Sequence, residues 1–361
     1  MLGVLSAPGF AMAATALDDR SRDILKLLVQ LHIATGEPVG SETLARSLAR
    51  PLSSATLRNV MAELEKMGYL DQPHTSAGRL PTDEAYRFYV DSLMGQRRPL
   101  PAREAAAIDS ELRPRDGSPV QMMENASLIL SRLTHNVGFV LGPDIGRATF
   151  RRLDLVRLPH PRILVVMVSR GGLVTSKVIE VEEPIDQDGL QACANYLNAH
   201  FAGLTLAAIH AQLLDLMSQE KALYDTLLQQ VVSVGQRAFA VEADTANVYL
   251  GGTSNILDQP EFEADVARMR TLFRTFEEKS RLVRILNACL SGDGLRIVIG
   301  HEIPDPEMQD LAMVTAVYPV DGETGCGVGV MGATRMEYGR VVALVDHIAR
   351  AVSRTLEELR G

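Results

Sequence analysis

The sequence RDILKLLVQLHIATGEPVGSETLAR (22–46), followed by SSATLRNVMAELEKMGYL (53–70), decides the fold of the first domain. Apolar residues in the first run recur at the spacing i, i+3, i+4 and i+7, which predicts one buried helical face: Ile24, Leu27, Leu28 and Leu31. The second run repeats that spacing at Leu57, Val60, Met61 and Leu64. A shorter helix between them begins near Ser41 and ends before Pro51. The pattern therefore predicts three short helices that share one small core.

After the third helix the pattern changes from helical to extended. Gly68 stands where a glycine ends a helix. Residues 69–72 predict a short strand, residues 73–78 a loop, and residues 79–81 a returning strand, before Thr82 caps a fourth helix. Helix, turn, helix and a two-stranded flap in this order are typical of a winged helix-turn-helix domain.

In a winged helix the N-terminal end of the third helix enters the major groove of DNA. Arg58 can bind guanine through two hydrogen bonds and Asn59 can do the same with adenine. The N–H groups near Ser53 suit a phosphate oxygen. The candidate DNA-binding residues lie on the second helix, the third helix and the wing: Ser41, Arg46, Arg50, Ser53, Ser54, Thr56, Arg58, Asn59, His74, Thr75, Ser76 and Arg79. Because the same fold also serves in protein–protein recognition, that alternative stays open on pattern alone.

The composition is that of a folded, multidomain chain. Its 361 residues predict two or three domains, and 46% hydrophobic residues are enough for a sizeable core. The net charge is −9, yet residues 1–98 hold 11 basic and 11 acidic side chains. Contact with nucleic acid must therefore come from a local basic face rather than from overall charge. Tryptophan is absent and aromatic residues make up 5%, which disfavours base stacking as the main mode of action.

The remainder of the chain predicts an α/β region interrupted by helices. Residues 99–119 are rich in proline and predict a linker containing one short helix. Strands are predicted at 137–141, 162–168, 173–181, 248–250, 295–299, 312–320 and 327–331, and helices near 121–134, 261–290 and 337–359. Residues 188–240 are strongly helical, which indicates an insertion into the α/β domain.

Four stretches of the sequence resemble the heat-inducible transcription repressor family HrcA. Two form the winged helix: residues 22–46, quoted above, and SSATLRNVMAELEKMGYLDQPHTSAGRLPTDEAYRFYVDSLM at 53–94. The others are GGTSNILDQPEF at 251–262 and VTAVYPVDGETGCGVGVMGATRMEYGRVVALVDHIA at 314–349. The resemblance covers the chain from about residue 18 onward and is looser over 95–250.

The resemblance implies an α+β multidomain protein with an N-terminal winged helix-turn-helix, a GAF-like α/β domain and a mainly helical inserted dimerisation domain. It places the winged helix at 18–98, the linker at 99–119, the GAF-like domain at 120–183 and 246–361, and the insert at 184–245. It also implies a homodimer that represses the groE and dnaK chaperone operons. Such a dimer binds double-stranded DNA at an inverted-repeat operator called CIRCE, and the GroE chaperonin modulates its activity.

Other chemistry finds little support in the sequence. The three cysteines are Cys193, Cys289 and Cys326, an odd number without a CxxC pair, which predicts free thiols in a reducing cytoplasm. The histidines lack zinc spacing and the glycine clusters lack the form of a phosphate loop, so we expect no metal, cofactor or catalytic residue.

Two further expectations concern the role of the body and the N-terminus. The alternative function is a small-molecule-sensing GAF-type regulator in which DNA binding is secondary. The apolar segment 1–17 lacks a preceding basic residue, so we expect a disordered tail or an over-extended start rather than a signal peptide, and no membrane span.

Overall fold

The computed structural model describes most of the chain in sixteen segments. They are residues 17–48, 52–74, 78–94, 99–114, 118–142, 149–159, 161–170, 174–182, 184–206, 208–209, 211–213, 226–239, 248–263, 265–290, 294–317 and 327–358. The prediction of a disordered tail falls on residues outside these segments, apart from Leu17, which is buried in the core.

The first domain is the predicted winged helix. It contains α1 (Asp19–Thr35), α2 (Ser41–Ser47), α3 (Ser54–Lys66), β1 (Leu70–Asp71), β2 (Leu80–Pro81) and α4 (Asp83–Met94). The strands β1 and β2 pair antiparallel, and a bridge between Val39 and Arg79 attaches the wing to the segment before α2. The predicted apolar stripe of α3 is buried, as are Ile24 and Leu28 of α1.

Capping residues fix where these helices begin and end. Asp18 accepts a hydrogen bond from the Ser21 amide at the start of α1, and Gly36 ends α1 with φ of 73°. Gly68 has φ of 83°, as expected of a residue that follows a helix end. At the start of α2 the N-cap is Gly40, one residue before Ser41, and no side chain caps that helix.

The α/β body is built on a five-stranded antiparallel sheet. Its strands are β3 (Val137–Leu141), β7 (Val248–Gly251), β8 (Gly294–Ile299), β9 (Leu311–Val317) and β10 (Gly327–Ala333), in the order β7-β3-β10-β9-β8. The flanking helices are α5 (Ala102–Leu112), α6 (Pro119–Thr134), α9 (Pro260–Glu263), α10 (Val266–Glu277), α11 (Lys279–Cys289) and α12 (Tyr338–Glu358). The single helix predicted near 261–290 is therefore three helices.

Both faces of the five-stranded sheet are covered. Val140, Val314 and Val330 point into a core shared with α6 and α12. Their neighbours Phe139 and Met313 point into a second core shared with α10 and α11. Because alternate residues of a strand face opposite sides, helices on both sides bury every residue of β3 and β10 and all but one of β9, whereas the edge strands β7 and β8 stay partly exposed.

A second, separate sheet lies between the first strand of the α/β body and the helices of the predicted insert. Strands β4 (Phe150–Leu158), β5 (Arg162–Ser169) and β6 (Val174–Glu180) form their own antiparallel sheet in the order β4-β5-β6. That sheet shares a core with α7 (Gln187–Phe201) and α8 (Thr226–Phe239). Below, the insert means this packed unit of β4–β6, α7 and α8, within which the predicted boundary at residue 184 falls between β6 and α7.

The predicted linker at 99–119 also carries part of the core. Within it α5 places Ile108 and Leu112 in the same core as α6 and α12. Apolar burial is thereby continuous from α5 into the body.

Candidate nucleic-acid interface

The N-terminal end of α3 is held in shape by a local cap and faces solvent. The Ser53 hydroxyl accepts a hydrogen bond from the Thr56 amide at 3.1 Å and lies 2.9 Å from the Thr56 hydroxyl. Ser53 is exposed and Ser54 and Thr56 are half-buried. The first turn of α3 contains no acidic residue, so the positive end of the helix dipole is not neutralised locally.

Arg58 and Asn59 lie on the exposed side of α3, where the sequence predicted base-reading side chains. The Nε of Arg58 donates to the carbonyl of Ser54 at 3.3 Å, which folds the guanidinium back along the first turn. Within the described part of the chain, no carboxylate forms an ion pair with Arg58. The buried stripe beginning at Leu57 anchors the opposite side of the helix.

The second helix contributes two of the predicted contacts. Ser41 is half-buried at the first position of α2. Arg46 is 81% exposed and lies 3.7 Å from Glu42, one turn earlier. Because exposed pairs of this kind contribute only about 0.3–0.5 kcal/mol, a phosphate group can compete for Arg46. Arg50 lies outside the described residues.

In the wing, the predicted contact residue Arg79 forms an ion pair within the domain. The Arg79 side chain is only 18% exposed, and its Nε donates to Glu65 of α3 at 2.8 Å. This ion pair joins the wing to the recognition helix, and the sequence analysis did not identify Glu65. His74 is exposed near the tip, while Thr75 and Ser76 lie outside the described residues.

The winged helix is packed against the body rather than tethered beside it. Arg87 of α4 forms an ion pair with Glu302 and donates to the carbonyl of Ile297 at 2.8 Å. Arg335 donates to the carbonyl of Ile33 near the end of α1 at 3.1 Å. These contacts join residues more than 200 positions apart, and no local sequence pattern indicates them.

Three other features bear on alternative chemistry. Burial raises the pKa of the Cys193 and Cys289 thiols to about 11, and both cysteines are free, as predicted; Cys326 lies outside the described residues. Among the described residues no group of three His, Cys, Asp or Glu stands close enough to hold a metal ion. None of the described helices is both long and apolar enough to cross a membrane.

A surface cavity of about 430 Å³ lies between the segment before α5, α5 itself and α12. Its charged lining is paired internally: His347 lies 2.8 Å from Asp109, and Arg354 lies 3.8 Å from the other oxygen of that carboxylate. Arg350 pairs with Asp346 on the same helix. The cavity therefore presents neutralised charge rather than a site for one charged ligand.

The fold and the exposed recognition helix define a winged helix-turn-helix transcription regulator. Residues 16–92 match the family profile described as the winged helix-turn-helix transcription repressor, HrcA DNA-binding domain, and residues 120–342 match the HrcA protein C-terminal domain. The chain belongs to the HrcA family of transcription repressors, and its winged-helix domain is the DNA-binding domain of that family.

Curated relatives agree with this assignment, and one solved structure shares the fold. Proteins named heat-inducible transcription repressor HrcA from Geobacter sulfurreducens and Syntrophobacter fumaroxidans are 41% and 38% identical over 344 residues. These alignments cover 95% of this chain and 99% and 98% of the two relatives. A crystal structure of a protein described as hypothetical shares the fold, with a TM-score of 0.65 at 22% identity over 95% of this chain and 99% of the other.

Proposed function

We propose that this chain is a cytoplasmic repressor that binds an inverted-repeat operator, CIRCE, upstream of the groE and dnaK operons. The observation that carries the proposal is the exposed N-terminal end of α3, with Arg58 and Asn59 on its solvent side. A helix presented in this way fits the major groove, and side chains of its first turns reach base edges.

The predicted contacts divide into two kinds. Arg58 and Asn59 are proposed to read bases, because their planar side chains can form paired hydrogen bonds with guanine and adenine. Ser41, Arg46, Ser53 and the wing residue His74 are proposed to contact phosphate and sugar, which positions the helix without reading sequence. Arg79 is proposed to act indirectly, because its guanidinium is bound to Glu65.

The experiment measures binding of fluorescent promoter DNA, with an intact or a disrupted inverted repeat, over a range of salt concentrations. Arg58→Ala is expected to weaken binding to the intact repeat by about 1–3 kcal/mol and to leave binding to the disrupted repeat unchanged. Arg46→Ala is the matched control. It is expected to weaken binding to the intact and the disrupted repeat equally, and to reduce the slope of log affinity against log salt concentration by about 1. Equal binding of the parent to both DNAs would refute the proposal.

We further propose that the repressor is a homodimer joined through the insert. The outer face of the β4–β6 sheet carries a continuous apolar row, in which Val156, Leu164 and Val178 are aligned across the three strands. Val174 and Val178 are 59% and 53% exposed. Such a face is typical of a surface that a partner covers, and two recognition helices related by a two-fold axis match an inverted repeat.

The proposed role of GroE rests on family membership and on this same face. A chaperonin binds exposed apolar surface, and a monomer would expose the row at Val156, Leu164 and Val178 that a dimer covers. Adding purified GroE to dilute repressor is therefore expected to raise the fraction that binds operator. If GroE leaves that fraction unchanged, the chaperonin part of the proposal fails and the DNA-binding part stands.

A further inference from the structure

One attachment of the winged helix to the body lies near the end of α1. Arg335, which follows β10, donates to the carbonyl of Ile33 at 3.1 Å and forms an ion pair with Glu261 of α9. A Cβ at Gly36 would lie 3.4 Å from the Arg335 guanidinium. Because the last carbonyls of a helix lack partners within it, a cation placed there binds the helix end directly.

A second attachment lies on α4. Arg87 forms an ion pair with Glu302, and the carboxylate of Glu302 also accepts from the amide of Ile299 at 2.9 Å. Asp83 accepts from the amide of His301 at 3.1 Å and lies 3.0 Å from its Nδ1. The approach is so close that a Cβ on the intervening residue, Gly300, would stand 1.8 Å from Asp83.

Aromatic side chains join the two attachments. The rings of Tyr86 on α4 and Tyr338 on α12 have centroids 6.2 Å apart, and the Tyr86 hydroxyl lies 2.7 Å from Nδ1 of His32 on α1. Tyr338 and Tyr86 are both buried in the core that extends from the winged helix into the body. Two polar attachments on either side of an aromatic contact fix both the rotation of the winged helix relative to the body and its distance from the body.

We propose that this interdomain interface determines which spacing of operator half-sites the repressor accepts. The inference rests on the proposed function, because it concerns how two recognition helices are held. DNA half-sites must match the separation and rotation of the two helices, and each added base pair rotates one half-site relative to the other. A domain on a flexible tether tolerates several spacings, whereas a domain held at Arg335, Arg87 and Asp83 tolerates few.

Arg335 and Arg87 are therefore positioning residues, since neither lies on the surface proposed to touch DNA. Arg335 comes from the family segment 314–349 and its partner Glu261 from the segment 251–262. The DNA-reading role of the winged helix does not account for these two segments. The ion pair between these two segments lies at the end of α1, where it holds the DNA-binding domain against the body.

The experiment compares full-length protein on a set of operators in which zero to five base pairs are inserted between the half-sites. For the parent we expect affinity to fall at least about tenfold at two inserted base pairs. The penalty for insertion is the ratio of affinity at the natural spacing to affinity with two inserted base pairs. For Arg335→Gln we expect weaker binding at the natural spacing and a penalty of about threefold or less. Arg87→Gln tests the second attachment in the same way, and Arg335→Lys, which keeps the charge, is expected to fall between.

Both affinities in the penalty for insertion are measured on the same protein, so their ratio does not depend on the fraction of protein that folds. Arg354→Gln removes an exposed arginine of α12 away from the interface, and its penalty is expected to equal that of the parent. The inference is overturned if the parent tolerates the insertions, or if both interface variants keep the full penalty. Failure of the parent to distinguish an intact from a disrupted repeat instead refutes the proposed function, and the inference with it.

Discussion

The two larger sheets of this protein differ in how many of their faces are covered. Strand β10 of the five-stranded sheet is buried along its whole length, because helices lie on both sides. From Ile163 onward, strand β5 of the three-stranded sheet alternates between buried and half-buried residues, because only its inner face packs against α7 and α8. The first sheet is an internal scaffold, and the second leaves a face on which another molecule can pack.

The largest effect is expected inside the five-stranded sheet. At Gly329 a Cβ would lie 2.6 Å from both the Phe139 ring and the carbonyl of Val314. Gly329→Val is therefore expected to destabilise the chain by roughly 3 kcal/mol or more, since the carbonyl belongs to a paired strand and cannot move aside. Urea unfolding measures the loss. For Gly339→Ala, where nothing lies within 4 Å, the free energy of unfolding should stay within about 0.5 kcal/mol of the parent. Equal losses of stability in the two variants would contradict the view that the five-stranded sheet is a tightly packed scaffold.

A smaller effect, on association alone, is expected on the open face of the other sheet. Val178→Asp places a charge on the proposed dimer surface and is expected to weaken dimerisation by about 2 kcal/mol, with the monomer fold retained. Sedimentation over a range of concentrations measures the shift to monomer. Gln191→Glu adds the same charge on α7 of the insert and should leave the dimer intact. A fully dimeric Val178→Asp protein would argue against this surface.

The smallest effect concerns two buried thiols: Cys193 in the core of the insert and Cys289 in the core of the α/β body. Alkylating reagents attack the thiolate, so a pKa of about 11 keeps Cys193 and Cys289 slow to react at pH 8 until their surroundings open. In the Val178→Asp monomer we expect Cys193 of the insert to react faster, by less than about tenfold, with Cys289 unchanged. Mass spectrometry of Cys326→Ser protein separates the two sites. Equal acceleration at both would show that the units do not open independently.

Much of the winged helix could be predicted because its signals are local. Ser53, Gly68 and the apolar spacing of α3 lie within one short run, and each specifies its own piece of backbone. The sequence pattern did not indicate strand β4, because Arg151, Arg152 and Asp154 interrupt its apolar run. Because only the inner face of the three-stranded sheet packs against helices, β4 does not require both faces to be apolar.

The candidate site was predictable only in part, because only some of its features depend on local sequence. Exposure of Arg58 and Asn59 follows from the helical repeat, since the buried stripe determines which side faces solvent. The pairing of Arg79 with Glu65 depends on how the wing folds back onto α3, and the contacts of Arg87 and Arg335 depend on docking of whole domains. Likewise, the boundary of the insert depends on which sheet a strand joins, and a strand sequence does not specify this.

The unbroken apolar core that joins the winged helix to α12 has a consequence for heating. Buried residues from Ile24 in α1 to Leu356 in α12 belong to one cluster, so the two domains lack separate interiors that could melt at separate temperatures. We therefore expect the two domains to denature in one cooperative calorimetric transition. A temperature that loosens the α/β body would then also unfold the winged helix, so that the response to heat would belong to the whole molecule.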